Sequence, residues 1–132
     1  MIPRLDTTRR PPSPGAGFLR HLAAAGLDGD IAETAADRTV FSTDDSIYQI
    51  EPQAIVFPQN IDDLKRIAKA LARPEFADIA IAPRGGGTGT NGQSLSNGIV
   101  VDCSRHMNRI LEIDPVRRTA RVEAGVVKDQ LN

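Results

Sequence analysis

The 132-residue chain has a single cysteine, Cys103. That scarcity excludes an internal disulfide framework, and with it any zinc or cluster site built from this segment's own thiols. Charge of one sign is lacking too: 16 Lys and Arg stand against 17 Asp and Glu, a formal net charge of −1 with a pI near 6.1. Without a basic field to displace counterions, nucleic acid is excluded as a non-specific partner. Long apolar runs are also missing. Spanning a bilayer takes about 20 apolar residues, and the most apolar stretch, 16–27, is broken by Arg20 and His21. Arg9 and Arg10 give a superficial likeness to a twin-arginine export signal, but Pro11, Pro12 and Pro14 intervene and no small-residue cleavage site follows. Nothing points to an oxidising compartment, so the expected location is the cytoplasm, with peripheral contact at an inner membrane left open. The length allows one modest core.

Four of the nine prolines fall in the first 14 residues, and residues 1–16 read as a flexible leader. A helical segment is expected over 17–45. Within it, FLRHLAAA (Phe18 to Ala25) has helix formers with Gly26 placed as a stop, and a second short helix is expected from Ile31 to Asp37. AIVF, Ala54 to Phe57, is a short apolar run between Pro52 and Pro58 and suits a buried strand. The period then changes. Asn60 is placed to cap a helix whose Ile61, Leu64, Ile67, Ala68 and Leu71 share one face, with Asp62 and Asp63 at its positive end. Pro74 ends it, and IAIA (Ile79 to Ala82) reads as the next strand. Strand, helix and strand make a βαβ unit with parallel strands. GIVVD (Gly98 to Asp102) gives a further strand, ILEI and ARVEA flank the turn DPVRRT as a hairpin, and VVKDQLN begins an amphipathic helix. The fold class is mixed, α/β or α+β.

Five of the eleven glycines, Gly85, Gly86, Gly87, Gly89 and Gly92, lie within eight positions in PRGGGTGTNGQ. Residues without a Cβ let consecutive backbone N–H groups approach an anion, and Thr88, Thr90 and Asn91 add side-chain donors. Such a loop suits a phosphate or pyrophosphate; the plainer reading is a tight turn. Its place after a βαβ crossover favours the first, because open α/β sheets bind ligands at the carboxyl ends of their strands. Two familiar phosphate motifs fail. Gly87, Gly89 and Gly92 satisfy GxGxxG, but QSLSNGIVVD continues as turn and strand rather than as the helix a Rossmann site needs, and Gln93 occupies the place of the Walker lysine.

Three blocks, AIVFPQNIDDLKRIAKAL, PRGGGTGTNGQ and GIVVDCSRHMNRILEID with RVEAGVVKDQLN, resemble the N-terminal half of the FAD-binding domain of the vanillyl-alcohol-oxidase and p-cresol-methylhydroxylase (PCMH) superfamily. The upstream ADRTVFSTDDSIYQIEPQAIVFP, with TGTNGQ, is similar to the branch of FAD-linked, iron–sulphur-containing D-2-hydroxyglutarate dehydrogenases, to which D-lactate dehydrogenases are related. The resemblance implies an α+β fold in which residues 46–132 form the N-terminal part of a PCMH-type domain, incomplete at its C-terminal side. It further implies that Arg84, Gly85, Gly86, Gly87, Thr88, Gly89, Thr90, Asn91, Gly92 and Gln93 hold the FAD pyrophosphate. Relatives that attach FAD covalently use a histidine in RSGGH; Thr88 stands there, so non-covalent FAD is implied. The implied reaction is oxidation of a 2-hydroxy acid to a 2-oxo acid with hydride passing to FAD and electrons to a separate acceptor. Substrate domain, catalytic base, metal ligands and any iron–sulphur cluster are implied only beyond this segment, so no catalytic or metal-binding residue is assigned within it.

Other residues read more plainly. His106 lacks an orienting carboxylate in its own motif and reads as structural rather than catalytic; His21 is weaker still. Cys103 reads as a small buried residue, and Asp44 with Asp45 as a solvated turn rather than a metal site. Arg84 is divided between a phosphate and a neighbouring carboxylate. Asp62 and Arg66 are spaced as a surface ion pair. The competing functional reading is a free-standing anion- or nucleotide-binding module without redox activity.

Overall fold

The computed structural model describes residues 14–131; the leader expected over 1–16 lies almost wholly outside them. Helix α1 spans Pro14–Ala24. It starts before the expected Phe18 because proline, having no N–H to leave unpaired, is well tolerated in a helix's first turn. The helix expected at Ile31–Asp37 is not formed. Instead Asp30–Ala32 is a strand, β1, and a shorter helix, α2, covers Ala35–Val40 with Thr34 as its cap. Isolated short helices are marginal, whereas Ile31 and Ala32 gain ladder partners, Val56 and Ile55, on an otherwise open strand edge.

Strand β2, Ala54–Phe57, and helix α3, Ile61–Leu71, form as expected, but α3 packs through Leu64, Ile67, Ala70 and Leu71, leaving Ile61 and Ala68 of the expected face exposed. Asn60 caps α3 by accepting from the Asp63 amide at 3.0 Å. A 3₁₀ turn at Pro74–Phe76 follows, and strand β3 runs Ile81–Arg84 rather than from Ile79. Ile79 is held in that turn, its amide donating to the Phe76 carbonyl at 3.0 Å. The strand instead continues through Pro83, which β3 tolerates as an edge strand. Strand β4 is Ile99–Asp102.

The four-stranded sheet has the order β1-β2-β4-β3, with β2, β4 and β3 parallel and β1 antiparallel to β2. Period-two alternation divides its residues between two faces. Ala54, Val56, Ile99 and Val101 meet Phe18, Leu22, Ile67 and Ala70 from α1 and α3, closed by Phe76, whose ring stands edge-on to Phe18 at 5.4 Å. Ile55, Phe57 and Val100 face the other way, against Phe41. With the two central strands buried on both faces, the sheet's carboxyl edge is fixed, and the loops leaving it are rigidly based.

Strands β5, Ile110–Asp114, and β6, Thr119–Val122, pair as the expected antiparallel hairpin but form a separate two-stranded sheet. The turn is set by the Asp114 carboxylate, which accepts from the amides of Val116 and Arg117. The amphipathic helix expected from VVKDQLN is, within the described residues, a 3₁₀ turn at Lys128–Gln130; i→i+3 closure suffices for so short a segment.

Candidate functional site: the glycine loop at the carboxyl edge of the sheet

The glycine segment leaves the carboxyl end of β3 and reaches the start of β4, its parallel neighbour, over residues 85–98. Joining parallel neighbours this way requires the chain to run back the length of the sheet. The return leg is buried at Ser94, Leu95 and Ser96, whereas Gly86, Thr88, Thr90 and Asn91 are exposed. The loop therefore has a fixed base and an open rim.

Internal contacts shape that rim. Gly87 and Gly92 take left-handed φ of +68° and +72°, a region in which a side chain is strained. A Cβ on Gly87 would also run into the Arg84 guanidinium, one on Gly89 into the Gln93 side-chain amide, and one on Gly92 would meet the Tyr48 ring at 3.0 Å. Gly86 differs. Its φ is unremarkable, and a Cβ there would meet Thr88 Cγ2 at an ordinary 3.7 Å with nothing else nearer. Of the loop amides, that of Asn91 donates to Gln93 Oε1 at 3.1 Å. Those of Gly86 to Thr90 find no acceptor among the described residues. Successive free amides bent by a left-handed residue can form an anion-binding nest.

Arg84 is directed beneath this rim, not across it. Its Nη1 donates to the Thr43 carbonyl at 2.9 Å, its Nε lies 3.9 Å from Asp102 Oδ2, and its guanidinium carbon is 5.1 Å from the Phe41 ring centroid. The neighbouring carboxylate was one of its two expected partners, and Asp102 is that carboxylate.

A family model described as FAD binding domain matches residues 52–132. The chain belongs to this family. Over its whole length it is 54% identical to D-2-hydroxyglutarate dehydrogenase of Pseudomonas putida (strain KT2440) and 50% identical to that of Escherichia coli (strain K12), and covers 13% of each. It thus spans about an eighth of the length of these relatives. A solved alkyldihydroxyacetonephosphate synthase, 22% identical, superposes with a TM-score of 0.71 over 97% of this chain and 25% of that one, and shares the fold. The α+β, PCMH-type assignment and the FAD-linked D-2-hydroxyglutarate dehydrogenase branch agree with these similarities.

Of the FAD-binding residues expected from sequence, Gly85 to Asn91 line the open rim, which has room for a pyrophosphate, whereas Arg84 is turned beneath it and Gln93 folds under Gly89. The vacant space over Gly86 and the free amides beside it are what a diphosphate needs, with Thr88, Thr90 and Asn91 exposed around them. The other candidates lie elsewhere. His106 is not without a carboxylate: Asp30 Oδ2, brought by β1, is 2.7 Å from its Nε2 and 3.9 Å from Arg105 Nη1, while Arg105 covers the Phe57 ring at 3.5 Å. Sequence spacing gave no hint of a partner 76 positions away. Together these contacts pin the turn after β4 onto β1. Cys103 is buried, and burial, with Asp102 adding to it, pushes its thiol pKa up. The Asp62–Arg66 pair does not form. Asp62 binds Lys65 at 2.8 Å, and Arg66 Nη1 binds Asp63 at 2.8 Å and Asp28 at 3.1 Å, because the buried Asp63 stands closer to it. Among the described residues no group of His, Cys, Asp and Glu is arranged to hold a metal ion, and no helix is long and apolar enough to cross a membrane.

Residues 43–48 border the loop, and Asp44 and Asp45, expected as a solvated turn, make contacts to it. Asp44 accepts from the Ser46 amide at 2.9 Å and from Ser94 Oγ at 2.8 Å. Hydrogen bonding from Ser46, then from Ser94 and the nearby Arg84 charge, holds its carboxyl below the usual range against partial desolvation. The Asp45 amide donates to the Gly87 carbonyl at 3.0 Å.

Proposed function

We propose that this chain supplies the pyrophosphate-holding part of the FAD site of a flavin-dependent dehydrogenase that oxidises a D-2-hydroxy acid, of the D-2-hydroxyglutarate or D-lactate type, to the 2-oxo acid. The observation that carries this reading is the open cradle at Gly86, edged by the unpartnered amides of Gly86 to Thr90, in a chain of the FAD-binding family. Residues 46–132 then constitute the N-terminal portion of the FAD-binding domain, and 17–45 the segment that precedes it.

In this reading each residue has a defined task. The amides of Gly85, Gly86, Gly87, Thr88, Gly89 and Thr90 face the two phosphates, and the side chains of Thr88, Thr90 and Asn91 supply further donors. Gln93 folds under Gly89 and fixes the turn that Gly92 completes, while Arg84 holds the base of the loop from below. Hydrogen bonds to a charged phosphate oxygen contribute about 1.5 to 3 kcal/mol each. Thr88, standing where some relatives carry an attachment histidine, leaves FAD non-covalent. Bound FAD supplies the hydride acceptor; the protein binds and orients it.

Substrate binding, the base that takes the hydroxyl proton, any metal or iron–sulphur cluster and the contact with the electron acceptor belong to the remainder of the longer polypeptide. The location in this reading is the cytoplasm, with the inner-membrane surface as the place of any peripheral contact. The test is direct. Purified full-length protein is expected to be yellow, to release FAD on acid precipitation, and to lose its oxidised-flavin absorbance when mixed anaerobically with D-2-hydroxyglutarate or D-lactate. A protein that is colourless and fails to take up added FAD would favour a plain anion-binding module and refute the proposal.

A further inference from the structure

The glycine loop is bridged to residues 43–48 at four places. Arg84 Nη1 reaches the Thr43 carbonyl at 2.9 Å, Ser94 Oγ donates to Asp44 Oδ2 at 2.8 Å, and the Asp45 amide donates to the Gly87 carbonyl at 3.0 Å. The fourth bridge is the Tyr48 ring, packed on Gly92 closely enough that a Cβ would meet it at 3.0 Å. These contacts fall at the beginning, middle and end of the loop. Residues 43–48, which supply one side of every contact, lie outside residues 52–132, the stretch that the family model matches.

We propose that Asp44, acting through Ser94 and the Asp45–Gly87 bond, is a positioning residue of the pyrophosphate cradle, and that residues 43–48 are a working part of the FAD site. This rests on the reading of the loop given above. The physical reason is preorganisation: a glycine-rich segment has many conformations available, and an anion must arrest them on binding unless the protein has already done so. The Asp44 carboxylate has one oxygen on its own turn, at the Ser46 amide, and the other on Ser94. It therefore fixes the return leg of the loop relative to the turn whose next amide holds Gly87. Asp44 has no need to touch the ligand.

The experiment uses deflavinated full-length protein titrated with FAD, with the melting temperature and far-UV circular dichroism of the apo-protein measured in parallel. Asp44→Ala is expected to weaken FAD binding by about tenfold or more, as the loop must then be ordered by the ligand itself, while the apo-protein melts as before. Asp44→Asn, which keeps an acceptor for Ser46 or Ser94, is expected to recover most of the affinity. Ser94→Ala removes the same bridge from the other side and serves if Asp44→Ala does not fold; the double variant is expected to bind no worse than either single one, since both cut one link. Gly86→Ala separates the two levels of the argument. If Gly86→Ala weakens FAD binding and neither Asp44→Ala nor Ser94→Ala does, the positioning role is overturned and the loop site stands. If Gly86→Ala has no effect, the reading of the loop fails first. Weakening by Asp44→Ala that merely tracks a lower apo-protein melting temperature, without recovery in Asp44→Asn, would also overturn the proposal.

Discussion

Replacing Gly86 with alanine in the full-length protein tests the cradle with a single carbon atom. Two observations and the general worth of a charged hydrogen bond fix the expected magnitude. Gly86 is outside the left-handed region, and its Cβ would meet Thr88 Cγ2 at 3.7 Å, so the folded apo-protein loses nothing by the change. The unfolded chain loses backbone freedom, which for a compatible site favours folding by about 0.4 to 1 kcal/mol. The apo-protein's melting temperature should therefore hold or rise slightly. In the proposed site ligand binding moves the opposite way, because the new methyl group would take up space left for a phosphate beside the amides of Gly86 to Thr90. Loss of one charged hydrogen bond costs about 1.5 to 3 kcal/mol, equivalent to a Kd for FAD raised by about tenfold to about 150-fold. Flavin fluorescence quenching in a titration of deflavinated protein measures it. Unchanged affinity in a protein that melts normally would refute the reasoning. Gly87→Ala is an uninformative alternative: with φ at +68° and Arg84 in the way, it damages the loop whether or not an anion binds there.

Other expectations follow from the packing. Asp63 is fully buried and accepts from the amides of Asp28, Gly29 and Gln59, each at 2.9 Å, and from Arg66; Asp63→Ala strands those donors and should lower stability by about 3 kcal/mol or more in urea denaturation. Burial pushes the Asp63 carboxyl up, but the hydrogen bonds from Asp28, Gln59, Arg66 and Gly29 outweigh it and hold the pKa below the ordinary range. Its stabilisation is thus complete above the unfolded-state carboxyl pKa, about 3.9, and is lost as pH falls through the lower folded value; Asp63→Asn should flatten that part of the acid-unfolding curve, and an unaltered curve would contradict it. Cys103, buried and with its thiol pKa raised, should resist iodoacetamide at neutral pH in the native protein and react readily in denaturant, as read by peptide mapping of that residue. Rapid native labelling would show the site to be open.

The parts of this fold that were legible in the sequence are those where local and tertiary preferences coincide. AIVF between two prolines, and a helix with Asn60 as cap and Leu64, Ile67 and Leu71 on one stripe, have one good solution each, although Ile61 and Ala68 of that expected stripe stay exposed. The helix expected at Ile31–Asp37 failed because nothing local reports that β2 has a vacant edge. Only the assembled sheet shows that Ile31 pairs with Val56. Strand β3 began later than its apolar residues suggested for the same reason: ladder bonds to β4 decide its limits, and a 3₁₀ turn already held the Ile79 amide.

The site divides along a similar line. Glycine density announced the loop, because in the proposed site the absence of side chains is itself the functional feature. The residues that hold the loop in shape carry no such signature. Asp44, Ser94 and Tyr48 are ordinary turn residues until 50 positions of chain are folded away and Ser94 Oγ meets Asp44. Periodicity also says which residues seek burial without saying against what. In β5 and β6, Ile110, Leu111, Ile113 and Val122 are 37 to 61% exposed, and two strands alone are at best marginally stable in water. In this hairpin the pattern marks residues that seek burial, and the described residues leave them open.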